Sequence, residues 1–164
     1  MNRFSGVIII IAVPLFFFLA LSETSRDIFP FFFNPEKPAI SIGTVPMRVE
    51  VFAHHGDRVQ GLSGRESLPE TEGALFVFDE SNYHGIWMRD MRFALDIIWI
   101  DSEFKIIDIE EDVTPSTFPK IFEPRSPAHF VLEVNSGYVE SFGIEIGDRV
   151  TLPKRILPKD LRQN

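Results

Sequence analysis

Apolar side chains between residues 47 and 134 recur at every second position or in short unbroken runs, and seldom at helical spacing. That pattern constrains the fold more than any other feature of the chain. Met47, Val49 and Val51 alternate with Arg48 and Glu50, as in a strand with one covered face. Ala128, Phe130, Leu132 and Val134 repeat the pattern, with His129 and Glu133 predicted to face away. Ala74 to Phe78 and Leu95 to Ile100 are apolar at successive positions, which predicts central strands covered from two sides. The polar break Asp101, Ser102, Glu103 before Phe104 to Ile109 predicts a hairpin. Helical spacing is confined to two places. Asp57 to Ser63 sets Val59 and Leu62 three apart, and Tyr138 and Phe142 lie four apart, with Ser136 as the expected cap and Gly143 as the stop. Four prolines between Pro115 and Pro127 predict an irregular excursion. The expected fold is mainly β with a minor α component: a compact small β-barrel or sandwich of short strands with two short helices.

Ahead of this body the 164-residue chain carries no charge from Phe4 to Leu21. Eighteen helical residues span about 27 Å, slightly less than a bilayer's hydrocarbon core. Ala20 and Ser22 suit cleavage as a signal peptide; the length of the run favours retention as a membrane anchor. In either case Arg3 is expected to stay cytoplasmic and the body to be exported. The predicted organisation is a leader or anchor at 1–22, behind which come a proline-punctuated linker at 23–46, a β-rich domain at 47–152 and a basic tail at 153–164. In the linker, Phe29, Phe31, Phe32 and Phe33 suit either a membrane surface or a strand laid on the domain.

Charge narrows the partners. The net charge is −8, and residues 41–153 hold nine basic against twenty acidic side chains. Such a body repels phosphate backbones, so nucleic acid is not an expected partner. The absence of cysteine excludes disulfides, thiolate metal sites and a thiol nucleophile. Lys154, Arg155, Lys159 and Arg162 make the tail basic; a solvated end is expected, or contact with an anionic membrane surface.

Catalytic signatures are sparse. Gly61-Leu62-Ser63-Gly64-Arg65 follows a nucleophile elbow for three positions and then departs from it. His54, His55, His84 and His129 lack a metal-ligand spacing, and Asp108, Glu110, Glu111 and Asp112 lack the loop that would position calcium. No metal or cofactor is implied. The densest chemistry runs from His84 to Asp96, where Trp87 offers a flat wall beside Met88, and Arg89 or Arg92, with Arg65, offers paired donors for a small anion. The competing reading is a structural network in which Asp90 and Asp96 satisfy loop amides and Trp87 with Met88 fills the core.

Several strings taken together resemble one family. They are Gly61 to Leu68, Gly73 to Phe78, Trp87-Met88-Arg89-Asp90-Met91, Leu95-Asp96-Ile97, Val131-Leu132-Glu133-Val134 and Gly147-Asp148. They resemble, in order, the domain of unknown function 192 family, also called uncharacterised protein family 0127. The resemblance implies a compact β-rich domain, often behind a signal peptide or anchor, with no established activity, cofactor or substrate. Members usually carry Trp-Met-Lys-Asn-Thr where this chain has Arg89, Asp90 and Met91.

Three functions are therefore expected in turn. The first is a non-catalytic envelope module binding a small anionic ligand or an exported protein through Arg65, Trp87, Met88, Arg89 and Asp90. The second is a hydrolase or isomerase using Asp90 or Asp96 as general base beside an arginine. The third is a passive structural domain.

Overall fold

The computed structural model describes residues 37–163. The predicted leader or anchor at 1–22 and the phenylalanine cluster of the predicted linker lie outside the described residues. Among the described residues nine strands and two short α-helices follow one another: β1 (Ala39–Ile42), β2 (Val45–Phe52), α1 (His55–Gln60), β3 (Glu72–Asn82), β4 (Ile86–Trp87), β5 (Leu95–Ile100), β6 (Ile106–Val113), β7 (Ile121–Phe122), β8 (Ala128–Asn135), α2 (Tyr138–Phe142) and β9 (Val150–Thr151). Seven strands form one sheet in the order β6-β5-β8-β3-β2-β1-β9, and β4 pairs with β7 as a separate ribbon. The pairings are antiparallel except β2 with β3.

The sheet curls into a half-barrel rather than a closed barrel or a sandwich. Ile40, Ile42 and Val150 from one edge share a core with Ile100 and Ile106 from the other, around Leu75, Phe130 and Leu132. A bridge between Lys105 and Arg149, with Val150 donating to the Phe104 carbonyl at 2.8 Å, ties the two edges at one end. The opposite face carries a second core of Phe76, Ile97, Trp99 and Val131, over which pack Leu62 from the loop after α1 and Ile86, Met88 and Phe122 around the ribbon. Two apolar faces on one sheet require two covers, which explains why β3 and β5 are apolar at successive positions.

The predicted hairpin is present, with Asp101 accepting from the Glu103 and Lys105 amides at 2.8 Å in its turn. Four local differences have physical reasons. Ala39–Ile42, within the predicted linker, forms β1 because Ile40 and Ile42 reach the first core. The cap of α2 is Gly137 at φ 79°, while the Ser136 hydroxyl donates to Asp112 at 2.8 Å. The proline-rich excursion contributes β7. The basic tail folds into two 3-10 turns (Lys154–Ile156 and Leu161–Gln163), with Leu157 buried against the first core.

The largest correction concerns β8. His129 and Glu133 do not face solvent: they are 2% and 5% exposed. Pairing with both β3 and β5 makes β8 central, so its second face is covered like its first.

Candidate functional site

A small cleft opens on the second face, between the loop that follows α1 and the β4–β7 ribbon. Its volume is about 60 Å³, and its walls include Leu62, Ser63, Ile86, Trp87 and Met91, with Phe76 and Glu133 from the sheet. A cavity of that size holds two or three waters or a small polar group, far less than a whole drug-sized ligand. Glycine shapes both walls. Gly61, at φ 48°, ends α1, and a Cβ there would stand 3.1 Å from the Phe76 ring; a Cβ at Gly85 would stand 2.5 Å from Ile121.

The walls are tied to each other and to the sheet. Ser63 Oγ donates to the Arg89 carbonyl and the Gly64 amide to the Asp90 carbonyl, both at 2.8 Å. Trp99 Nε1 donates to the His84 carbonyl at 2.9 Å, fastening the start of the ribbon to β5. Trp87 is 43% exposed at the mouth. The Arg89 guanidinium lies 4.7 Å from its ring centroid, and Phe118 meets it edge-on at 6.3 Å.

Glu133 carries the unusual chemistry. Its carboxyl has no hydrogen-bond or ion-pair partner among the described residues, and burial pushes its pKa up to about 8. The group is therefore mostly protonated at pH 7, able to donate one hydrogen bond and accept others. A buried acid without a partner is costly, and neutralisation is how the protein tolerates it. The alternation along β8 gave no signal for this site. The available signal was a lone carboxylate inside an apolar run, Phe130 to Val134.

The residues singled out from sequence divide among different roles. Trp87 lines the cleft; Met88, 1% exposed, fills the core behind it. Arg89 stacks on Trp87. Arg65 is held by Glu50 through two bonds of 2.8 and 2.7 Å, and these bonds, more than the attraction between the charges, keep the Glu50 carboxyl below its usual pKa. Asp90 is exposed in a turn at φ 57°. The left-handed conformation favours Asn or Asp, which accounts on backbone grounds for asparagine in the resembling proteins and aspartate here.

Asp96 is fully buried on the opposite face, accepting from the Asp112 amide at 2.9 Å and the Val139 amide at 3.0 Å. Arg92 pairs with Glu66. In the acidic cluster Asp108 accepts from the Arg125 amide and pairs with its side chain at 2.9 Å. Among the described residues no group of three or more metal-binding side chains converges. His84 stacks on Phe78 at 3.5 Å. His129 has Nδ1 3.1 Å from Ser81 Oγ and a buried Nε2 without a hydrogen-bond partner; burial lowers its pKa against the opposing pull of Asp160.

A curled half-barrel with a ribbon-walled cleft defines the class, and the sequence gives the family. Residues 39–152 match the DUF192 family, described as "Uncharacterized ACR", and the chain belongs to it. The UPF0127 proteins PF1050 of Pyrococcus furiosus and PH1112 of Pyrococcus horikoshii are each 30% identical over 70 residues, 43% of this chain. The match spans 54% of the first and 55% of the second, about half of each relative's length.

Among solved structures, a protein of Sinorhizobium meliloti 1021 described as a "putative transcription regulator" is 31% identical. It has a TM-score of 0.66, over 70% of this chain and 92% of that one. A protein of unknown function from Novosphingobium aromaticivorans, 24% identical with a TM-score of 0.67 over 71% and 85% of the two chains, shares the fold.

Proposed function

We propose that this chain is a non-catalytic binding module, exported behind the 1–22 segment, that receives a small polar group of a ligand or exported partner into the cleft between Trp87 and Glu133. The observation that carries the reading is the unpaired, buried Glu133 carboxyl lining an open cleft. A neutral acid there presents a donor and an acceptor side by side, the complement of a primary amide, while Trp87 supplies a flat wall and Arg89 a cation at the mouth. Any fraction of ionised Glu133 would repel a carboxylate entering the cleft. The regulator description of the S. meliloti protein is not carried over, because the acidic body disfavours a nucleic-acid backbone.

Calorimetric titration of the full chain in detergent with acetamide and acetate at pH 7 tests the reading. Saturable acetamide binding, stronger than acetate binding and lost in Glu133→Leu and Trp87→Ala, is the expected result. Failure of both probes to bind saturably, or unchanged binding in both variants, would sink it.

A second reading, proton-transfer catalysis, is favoured by a carboxyl that titrates near neutrality. It moves the general-base role from Asp90 or Asp96 to Glu133, and it requires turnover of a bound substrate rather than binding alone.

A further inference from the structure

Arg58 borders a second and larger cavity of about 850 Å³, between the ends of β2 and β3, α1 and the C-terminal turns. Its floor is apolar, with Val51 and Val77 from the sheet and Ile156 and Leu157 from the tail; its basic groups are Arg58, Arg155, Lys159 and Arg162, beside His54 and His55. Only two carboxylates, Asp79 and Asp160, line it. Four fixed cations against two anions make this groove locally positive on a chain whose net charge is −8. At physiological ionic strength charges beyond roughly 8 Å are largely screened, so the local excess outweighs the distant acidic surface.

The groove is built rather than a chance meeting of loose side chains. Burial of Leu157, 5% exposed in the first core, pins the tail against the domain. Arg58 donates to the Val77 carbonyl at 2.9 Å and to the Ala53 carbonyl. Arg162 donates to the Leu157 carbonyl at 2.7 Å and the Arg155 carbonyl at 3.3 Å. Carbonyl acceptors orient a guanidinium without cancelling its charge. Arg155 and Lys159 have no ion-pair partner among the described residues, and so remain available to an incoming anion.

We propose that this groove is a binding site for an organic phosphate, its phosphoryl oxygens held by Arg155, Lys159 and the two anchored guanidiniums and its apolar part lying on Val51, Val77 and Ile156. Guanidinium forks match phosphoryl geometry, and the volume falls within the range of small-molecule sites. The same chemistry is offered by a soluble phosphomonoester and by a phospholipid headgroup.

The test is calorimetric titration of the full chain in zwitterionic detergent with phenyl phosphate, repeated with inorganic phosphate and in micelles doped with phosphatidylglycerol. The expected result is saturable phenyl phosphate binding that weakens as salt is added. It falls by about tenfold or more in the Arg155→Ala/Lys159→Ala double variant, the loss of at least one charge-assisted bond. Binding is unchanged in Lys105→Ala/Lys120→Ala, which removes the same charge elsewhere, and in Trp87→Ala, which separates this site from the cleft. Competition by phosphatidylglycerol assigns the headgroup as source, and its absence assigns a soluble phosphate. No saturable binding of any of the three, or equal loss in the control pair, overturns the proposal.

Discussion

Glu133 spends its proton differently in the folded and unfolded chain, and that difference is measurable. The ordinary carboxyl value is 4.5, and burial raises it to about 8 in the fold. Below 4.5 both states are protonated and the group contributes nothing. Between 4.5 and 8 the unfolded chain releases a proton that the folded chain keeps, so stability falls as pH rises; above 8 the loss is complete. The full effect is on the order of 5 kcal/mol. Glu133→Gln keeps the shape and removes the titration. Denaturant unfolding of the full chain from pH 5 to 9 is therefore expected to show the wild type losing stability relative to the variant as pH rises, with the smallest loss at pH 5 and the largest at pH 9. Parallel pH profiles would show that Glu133 ionises normally. Asp96, 0% exposed, gives the contrast at this scale: two amide donors satisfy it, and it belongs to the scaffold.

At the scale of elements, Asp96 links β5 to the end of β6 and to α2. Asp96→Ala strands two amide donors, one of them buried, and is expected to cost about 3 kcal/mol, read as a lower denaturant midpoint with the slope unchanged. A midpoint within error of the wild type would mean that water replaces the carboxylate. The elements differ in how legible they were. β2, β3, β5 and the β5–β6 hairpin follow from local alternation, apolar runs and a polar turn, all properties of adjacent residues. The same alternation misled at β8, where His129 and Glu133 resemble a solvent face. The cover over that face comes from Leu62, Ile86 and Phe122, distant in sequence. Ser136 was a reasonable cap by residue type, but Asp112, brought close by β6, takes its hydroxyl.

For the described residues taken together, the curled sheet explains how one modest domain supports both the cleft and the groove. The first core draws the edges together and pins the tail, forming the groove; the second is roofed by the ribbon, and the gap in that roof is the cleft. The proposed export segment belongs to this scale as well. Among the described residues no helix is long and apolar enough to cross a membrane; the run from Phe4 to Leu21 lies outside them. Alkaline carbonate extraction of membranes from cells making the full chain is expected to leave the body in the pellet. Quantitative release would favour a cleaved leader instead.

What the sequence by itself determined is the β-rich class, the central strands β3 and β5, the family resemblance and the uncharged run from Phe4 to Leu21, because each depends on neighbouring residues or on a string read in order. Tertiary structure alone decided that Arg65 is consumed by Glu50, that Asp96 is a scaffold acid, that Glu133 opens on a cleft, and that the tail builds a basic groove. These depend on which side chains from distant segments meet and on how much water they leave behind. Desolvation and pairing, rather than residue type, set the chemistry of a charged group.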